Sequence, residues 1–303
     1  MIEKRVLDAL RRGESEARER CPLKPLSTFR IGGVAELAVF PKTVAQLTEA
    51  VAILRESDTP FLVIGNGSNL LFGDGLLLGA LVVTSGLSEL RVEGETVFAE
   101  TGVSLAALSN AAASASLTGL EFARGIPGTV GGAVFMNAGA YGGAVADVLR
   151  ESRALDTVSG EILTLTEHAF GYRKSIYMEH PEWICLGGVF SLCRGEERAI
   201  RARMRELAEQ RRAKQPLEYP SGGSYFKRPD GYFGGKLIED CGLKGYAVGD
   251  AAVSEKHAGF LINRGSATAE QMLRVEAHVR ETVLREFGVM LEREVRFVRT
   301  VEE

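Results

Sequence analysis

The chain has 303 residues, 45% of them apolar and 25% charged, with a mean hydropathy of +0.02 and a formal net charge of −4. This composition fits a folded chain long enough for two domains and excludes a disordered polar polymer. It also argues against a nucleic-acid partner, because no basic excess exists to displace counterions from phosphates.

Residues 1–14 are charged and helix-like and carry no apolar core of a secretory signal. No run approaches the 18 or so apolar residues that a membrane span needs. Cys21, Cys185, Cys193 and Cys241 show neither Cys-x-x-Cys spacing nor disulfide density. They read as small apolar fillers in a reduced compartment, so a cytoplasmic location is expected. No His, Cys and carboxylate set has metal-ligand spacing, and no metal is expected.

Along the chain, residues 35–40 read as a strand closed by Pro41, and Thr43 opens a helix with Gln46 at capping-box spacing. Val44, Leu47, Val51 and Leu54 share one face of that helix. Pro60 then starts a buried strand, 61–64, which runs into Gly65-Asn66-Gly67-Ser68-Asn69. The pattern predicts a compact βαβ unit with a glycine loop at a strand's C-terminal end, where α/β sheets bind ligands.

From 81 to 195 the chain is strand-rich, with strands expected at 82–83, 90–92, 96–100, 152–154, 162–166 and 183–190 and a helix at 105–115. A charged helix at 196–212 follows, with Ile200, Met204, Leu207 and Arg211 on one face, and marks a domain boundary. Beyond it come a turn holding Ser224, a loop region to 249 and a strand at 259–263. A helix at 268–287 is capped by Thr268 and Gln271, buries Met272, Val275, Val279 and Val283, and stops at Gly288. A last strand, 290–298, sets Glu292, Glu294 and Arg296 on one face and Leu291, Val295 and Phe297 on the other.

Three glycine-bearing segments carry the candidate chemistry. The loop at 65–72 begins as Gly-x-Gly, but Leu70 stands where a dinucleotide fingerprint has its third glycine, and no Walker A pattern occurs. Its successive amides can still form an anion-binding nest, with Ser68 and Asn69 adding donors. Residues 119–143 hold eight glycines among apolar residues and little charge, a backbone suited to packing around something flat or phosphorylated. In Ser221-Gly222-Gly223-Ser224-Tyr225-Phe226-Lys227-Arg228-Pro229, the two glycines free the backbone to approach a ligand, and the cations reach for an anion.

Seven segments together resemble the UDP-N-acetylenolpyruvoylglucosamine reductase (MurB) family. They are 25–33 (Pro-Leu-Ser-Thr-Phe-Arg-Ile-Gly-Gly), 64–72, 119–143, 170–175 (Phe-Gly-Tyr-Arg-Lys-Ser), the Ser224 turn, 253–263 and 291–297 (Leu-Glu-Arg-Glu-Val-Arg-Phe). The resemblance implies an α+β chain. Residues 1–195 would be a two-subdomain FAD-binding fold of the p-cresol methylhydroxylase/vanillyl-alcohol oxidase type, split near residue 60. Residues 196–303 would form an α+β domain for the UDP-sugar. The span from Tyr172 to Lys214 is short and is similar to the branch lacking an inserted substrate-capping loop, so that loop's tyrosine has no counterpart here.

The same resemblance implies non-covalent FAD, NADPH as co-substrate and UDP-N-acetylglucosamine enolpyruvate as substrate; neither nucleic acid nor membrane is expected as a partner, and a monomer is expected with an oligomer left open. For FAD it points to Arg30, Ile31 and Gly32, and to Gly65, Asn66, Gly67, Ser68, Asn69 and Leu70. It adds Gly125, Ile126, Pro127, Gly128 and Thr129, then Gly131, Gly132, Asn137, Ala138 and Gly139. Ser224 would donate a proton, Arg173 grip the substrate carboxylate, and Glu294 order a water or polarise the intermediate. Tyr172, Lys214, Tyr225, Lys227, Arg228 and His257 would contact the UDP-sugar. Two other readings stand beside this one: a flavin oxidase of the same fold acting on another small substrate, and a nucleotide-binding module without catalysis.

Overall fold

The computed structural model describes residues 2–302; positions 1 and 303, the outer ends of the two expected segments, lie outside it. The chain folds as two compact units, the first comprising Met1–Glu19, Leu37–Asn66 and Gly79–Arg211, the second Arg20–Glu36, Gly67–Leu78 and Arg212–Glu303. This division differs from the contiguous segments 1–195 and 196–303 anticipated from sequence. Residues 20–36 and 67–78 belong with the C-terminal part, and 196–211 belong with the first unit.

In the first unit, α1 (Lys4–Arg12) and α2 (Val44–Glu56) bury Leu7 and Leu10 with Leu47, Val51 and Leu54. Thr43 accepts the Gln46 amide as the N-cap, while the Gln46 side chain accepts from Lys42. Strand Phe61–Ile64 pairs parallel with Leu76–Val83. The sheet order is Glu16–Pro22, Val34–Phe40, Leu76–Val83, Phe61–Ile64. The two strands of the expected βαβ unit are therefore separated by a third, and Glu16–Pro22 is a strand that its charged, non-alternating sequence did not announce.

A second sheet in this unit is fully antiparallel, in the order Ile162–Leu165, Leu149–Asp156, Trp183–Ser191, Thr96–Glu100, Leu90–Glu93. Helices α3 (Leu105–Ser114) and α4 (Val130–Met136) close its core through Leu105, Leu108, Val130 and Val134 with Val97, Ala99 and Phe190. Helix α5 (Glu197–Lys214) packs Ile200 and Met204 on Ala113 of α3, and Arg201 donates to the Ser114 hydroxyl. Those contacts explain why 196–211 fold with what precedes them.

In the second unit, α6 (Gly234–Asp240) and α7 (Ala269–Phe287) pack with a three-stranded antiparallel sheet, Ala247–Val248, Ala251–Val253 and Leu261–Asn263. Met272, Val275, Val279 and Val283 line the buried face of α7. Thr268 and Gln271 form the expected capping box, the Asp74 carboxylate accepts from the Ala269 and Glu270 amides, and Gly288 ends the helix in the left-handed region at φ 68°. The strand expected at 290–298 is regular only over Arg296–Val298, paired parallel with Leu70–Phe72, plus an isolated bridge from Phe226 to Arg293.

Helices α4 and α6 fall where the sequence suggested loops. Each contains two adjacent glycines, whose low helix propensity hides a helix that tertiary contacts enforce. Cys21 and Cys185 are buried fillers, as expected, and burial raises the Cys185 thiol to about 11; Cys193 is exposed and fills nothing. Among the described residues, no helix is long and apolar enough to cross a membrane.

Candidate functional site

The first unit assembles a glycine cradle around Thr129. A Cβ on Gly65 would sit 2.2 Å from the Thr129 hydroxyl, and one on Gly131 would sit 1.9 Å from the Thr101 hydroxyl, so only glycine permits these approaches. Thr129 is the N-cap of α4, yet its Oγ1 makes no capping bond and is buried without a hydrogen-bond partner. A buried hydroxyl left in that state costs free energy that a bound polar ligand would recover. The Val130 and Gly131 amides are already engaged by the Val103 and Thr101 carbonyls. Helix α4 thus offers hydroxyl and glycine surface here more than a row of free amides.

Helix α4 ends in a second feature of the same unit. Asn137 takes the left-handed conformation at φ 42°, donates from Nδ2 to the Gly171 carbonyl at 3.0 Å and accepts the Ala146 amide at 3.0 Å. Arg173, itself left-handed at φ 54°, points its guanidinium at the Asn137 and Gly139 carbonyls, each 3.4 Å away. Two non-glycine residues held in this region store strain that the surrounding contacts must hold, a common property of functional sites. Ser175 anchors the far end of the Arg173 loop on the Phe135 carbonyl at 2.7 Å. Tyr172 is exposed, 5.2 Å beneath the Arg173 guanidinium. The structure therefore brings Arg173 to Asn137, Ala138 and Gly139 of the expected cofactor set.

The second unit gathers the other candidates around the Ser224 turn. Thr28 donates its hydroxyl to the Ser221 carbonyl at 2.7 Å and its amide to the Gly67 carbonyl. A Cβ on Gly222 would strike the Phe29 ring at 2.4 Å, so this glycine is needed for close packing. The Tyr225 carbonyl accepts the Glu294 amide at 2.9 Å, and the Glu292 carbonyl accepts the Lys227 amide at 2.8 Å, which locks the turn to segment 292–295. Asn69 completes the set: its Nδ2 donates to the Glu294 carbonyl, and its own carbonyl accepts the Arg296 amide. Ser224 is exposed at the top of this arrangement and Glu294 is half-buried.

Arg30 is exposed and left-handed at φ 54° beside the buried Gly32, whereas the Ile31 side chain is in the core and can meet a ligand only through its backbone. Lys227 pairs with Glu292 at 2.5 Å, Arg228 stacks 4.0 Å from the Phe233 ring, and Lys214 is exposed at the end of α5. His257 is half-buried, its Nδ1 accepting the Gly259 amide, and burial lowers its pKa. Tyr225 is set apart from these expected nucleotide contacts. Its ring is fully buried and its hydroxyl donates to Glu276, so the side chain belongs to the floor of the site, not its surface. Sequence reasoning did not single out Glu276, although its spacing from Met272, Val275 and Val279 puts it on the buried face of α7. Nor did it single out the chemistry of Arg211, read as a helix-face residue, whose side chain lies 3.1 Å from the space over Gly125 and whose pKa burial lowers.

Comparison with known proteins places these features in context. A family model described as an FAD binding domain matches residues 35–166, and one described as the UDP-N-acetylenolpyruvoylglucosamine reductase C-terminal domain matches 215–298. The UDP-N-acetylenolpyruvoylglucosamine reductase of Pediococcus pentosaceus is 47% identical, covering 98% of this chain and 99% of its own. That of Caldanaerobacter subterraneus subsp. tengcongensis is also 47% identical, covering 91% of this chain and 92% of its own. The crystal structure of the Thermus caldophilus enzyme of the same name superposes with a TM-score of 0.79 at 33% identity, over 93% of this chain and 98% of that one.

Proposed function

The chain belongs to the UDP-N-acetylenolpyruvoylglucosamine reductase family, and on that premise we propose that it reduces UDP-N-acetylglucosamine enolpyruvate to UDP-N-acetylmuramate with NADPH, in peptidoglycan precursor synthesis. It is an FAD-binding oxidoreductase of the expected α+β class. The Thr129 cradle fits that cofactor, supplying an unpartnered buried hydroxyl among glycines whose Cβ atoms would fill the space. FAD, when bound, supplies the hydride chemistry that no side chain offers. In this reading FAD is held non-covalently by residues within 1–195, most of the contacts to the UDP-sugar come from 196–303, and both the nucleotide-linked substrate and NADPH meet the enzyme in the cytoplasm.

The reaction adds a hydride to the terminal carbon of the enolpyruvyl double bond and a proton to the carbon bearing the ether oxygen and carboxylate. Ser224 is the proposed proton donor: an exposed hydroxyl remains protonated at neutral pH until a strongly basic carbon takes the proton. Arg173, with a planar fork of donors, binds the substrate carboxylate, where negative charge builds up. Glu294 orders a water or polarises the intermediate. Tyr172, Lys214, Lys227, Arg228 and His257 are the proposed contacts to the UDP-sugar; Arg30, Ile31 and Gly32, the 65–70 loop and the residues named above between Gly125 and Gly139 hold FAD. The observation that carries this reading is the backbone lock between the Ser224 turn and the Glu294 segment, which supports both side chains from one hydrogen-bonded frame.

Anaerobic stopped-flow absorbance tests the proposal. The purified protein is expected to be yellow and to release its flavin on denaturation. NADPH should bleach the flavin, and UDP-N-acetylglucosamine enolpyruvate should restore the colour. Reduced flavin that reoxidises with oxygen but not with this substrate would assign the chain to another flavin reaction.

A further inference from the structure

We propose that Glu276 is a positioning residue for the proton-transfer step: one buried carboxylate ties the residue after Ser224 to the residue before Glu294. This inference rests on the function proposed above. Glu276 lies on the apolar face of α7 and is 2% exposed. A charge in such a place is tolerated only when fully partnered. Its Oε2 accepts from the Tyr225 hydroxyl at 2.9 Å and faces the Arg293 guanidinium at 2.7 Å. Its Oε1 accepts from Arg293 Nε at 2.9 Å, with Arg280 3.6 Å away.

The two partners are Ser224's and Glu294's immediate neighbours in sequence. Backbone bonds already set the register of the two segments; the carboxylate fixes how each is rotated against α7. The bidentate Arg293 contact has the rigid geometry needed to hold an angle. Burial, followed by the Glu276 charge, pushes the Tyr225 phenol far above its ordinary pKa, so the hydroxyl remains a donor to the carboxylate. Hydrophobic packing alone could stabilise α7 as well. What the ionic network adds is a defined direction for the exposed hydroxyl at 224 and the half-buried carboxylate at 294.

The test follows both half-reactions of the holoenzyme in H2O and D2O for wild type, Glu276→Gln and Tyr225→Phe. Flavin reduction by NADPH should proceed at the wild-type rate in both variants. Reoxidation by UDP-N-acetylglucosamine enolpyruvate should slow on the order of 100-fold in Glu276→Gln and less in Tyr225→Phe, as expected for a misplaced reacting group. The solvent deuterium isotope effect on reoxidation should rise in both as proton transfer becomes limiting. Unchanged reoxidation and isotope effect would overturn the role of Glu276, as would equal loss of both half-reactions with a lowered Tm. Tyr225→Phe keeps the test decisive if Glu276→Gln does not fold. A wild-type enzyme that this substrate cannot reoxidise would overturn the functional reading itself, and the inference with it.

Discussion

Ser224 and Thr129 are both single hydroxyls, but their surroundings assign them opposite duties. Ser224 is exposed on a turn pinned by the Glu294 segment, so its replacement should disturb chemistry and little else. Ser224→Ala is expected to keep NADPH-driven flavin reduction and to slow reoxidation by substrate by about 10²–10⁴-fold, the usual worth of a general acid. Thr129 is buried with nothing to bond, so Thr129→Val removes an unsatisfied group. The apoprotein should melt no earlier than wild type, while FAD affinity, measured by flavin fluorescence titration, should fall about tenfold for one lost hydrogen bond. Glycine clustering made the cradle visible in the sequence; the absence of a partner for Thr129 did not show there, because it depends on where Thr101, Gly65 and Val103 come to lie.

Element by element, sequence signals were reliable where local chemistry decides the outcome. The cap Thr268, the stripe Met272–Val275–Val279–Val283 and the stop at Gly288 delimit α7 within a residue of the structure. Asp74 adds a second anion at the same helix start, from a distant segment that no local pattern reveals. Thr268→Ala should cost about 1 kcal/mol and Asp74→Ala a further 0.5–1 kcal/mol or so, both read from urea unfolding. Helices α4 and α6 escaped prediction because their paired glycines oppose helix formation, and the opposing gain comes from packing. The terminal strand was overextended for a related reason: alternation correctly placed Leu291 and Val295 inside, but backbone pairing is available only where Leu70–Phe72 runs alongside.

For the molecule as a whole, two stability predictions follow from buried groups and from linkage. His168 is buried, with Nε2 2.9 Å from the Ser152 hydroxyl, and burial lowers its pKa from 6.5. Below pH 6.5 the unfolded chain binds a proton at this position that the folded chain resists, so stability falls as pH drops from 6.5 towards the lower folded value. His257 works in the same direction. Thermal melts between pH 7.5 and 5 should show this decline, with a shallower slope in His168→Gln. FAD binds the folded state only, so free FAD at about 100 times its Kd should add about 2.7 kcal/mol and raise the Tm.

Sequence alone determined the helices with good caps and stripes, the candidate hydroxyl, guanidinium and carboxylate by their motifs, and the family to which the chain belongs. These depend on residue identity at short spacing, which a linear chain displays directly. Only the tertiary structure decided that residues 20–36 and 67–78 fold with the C-terminal part, that Tyr225 faces inward, and that Glu276 stands between the neighbours of Ser224 and Glu294. Such facts arise from burial and from hydrogen bonds between residues far apart in the chain, where the free energy of desolvation, not local propensity, selects the partner.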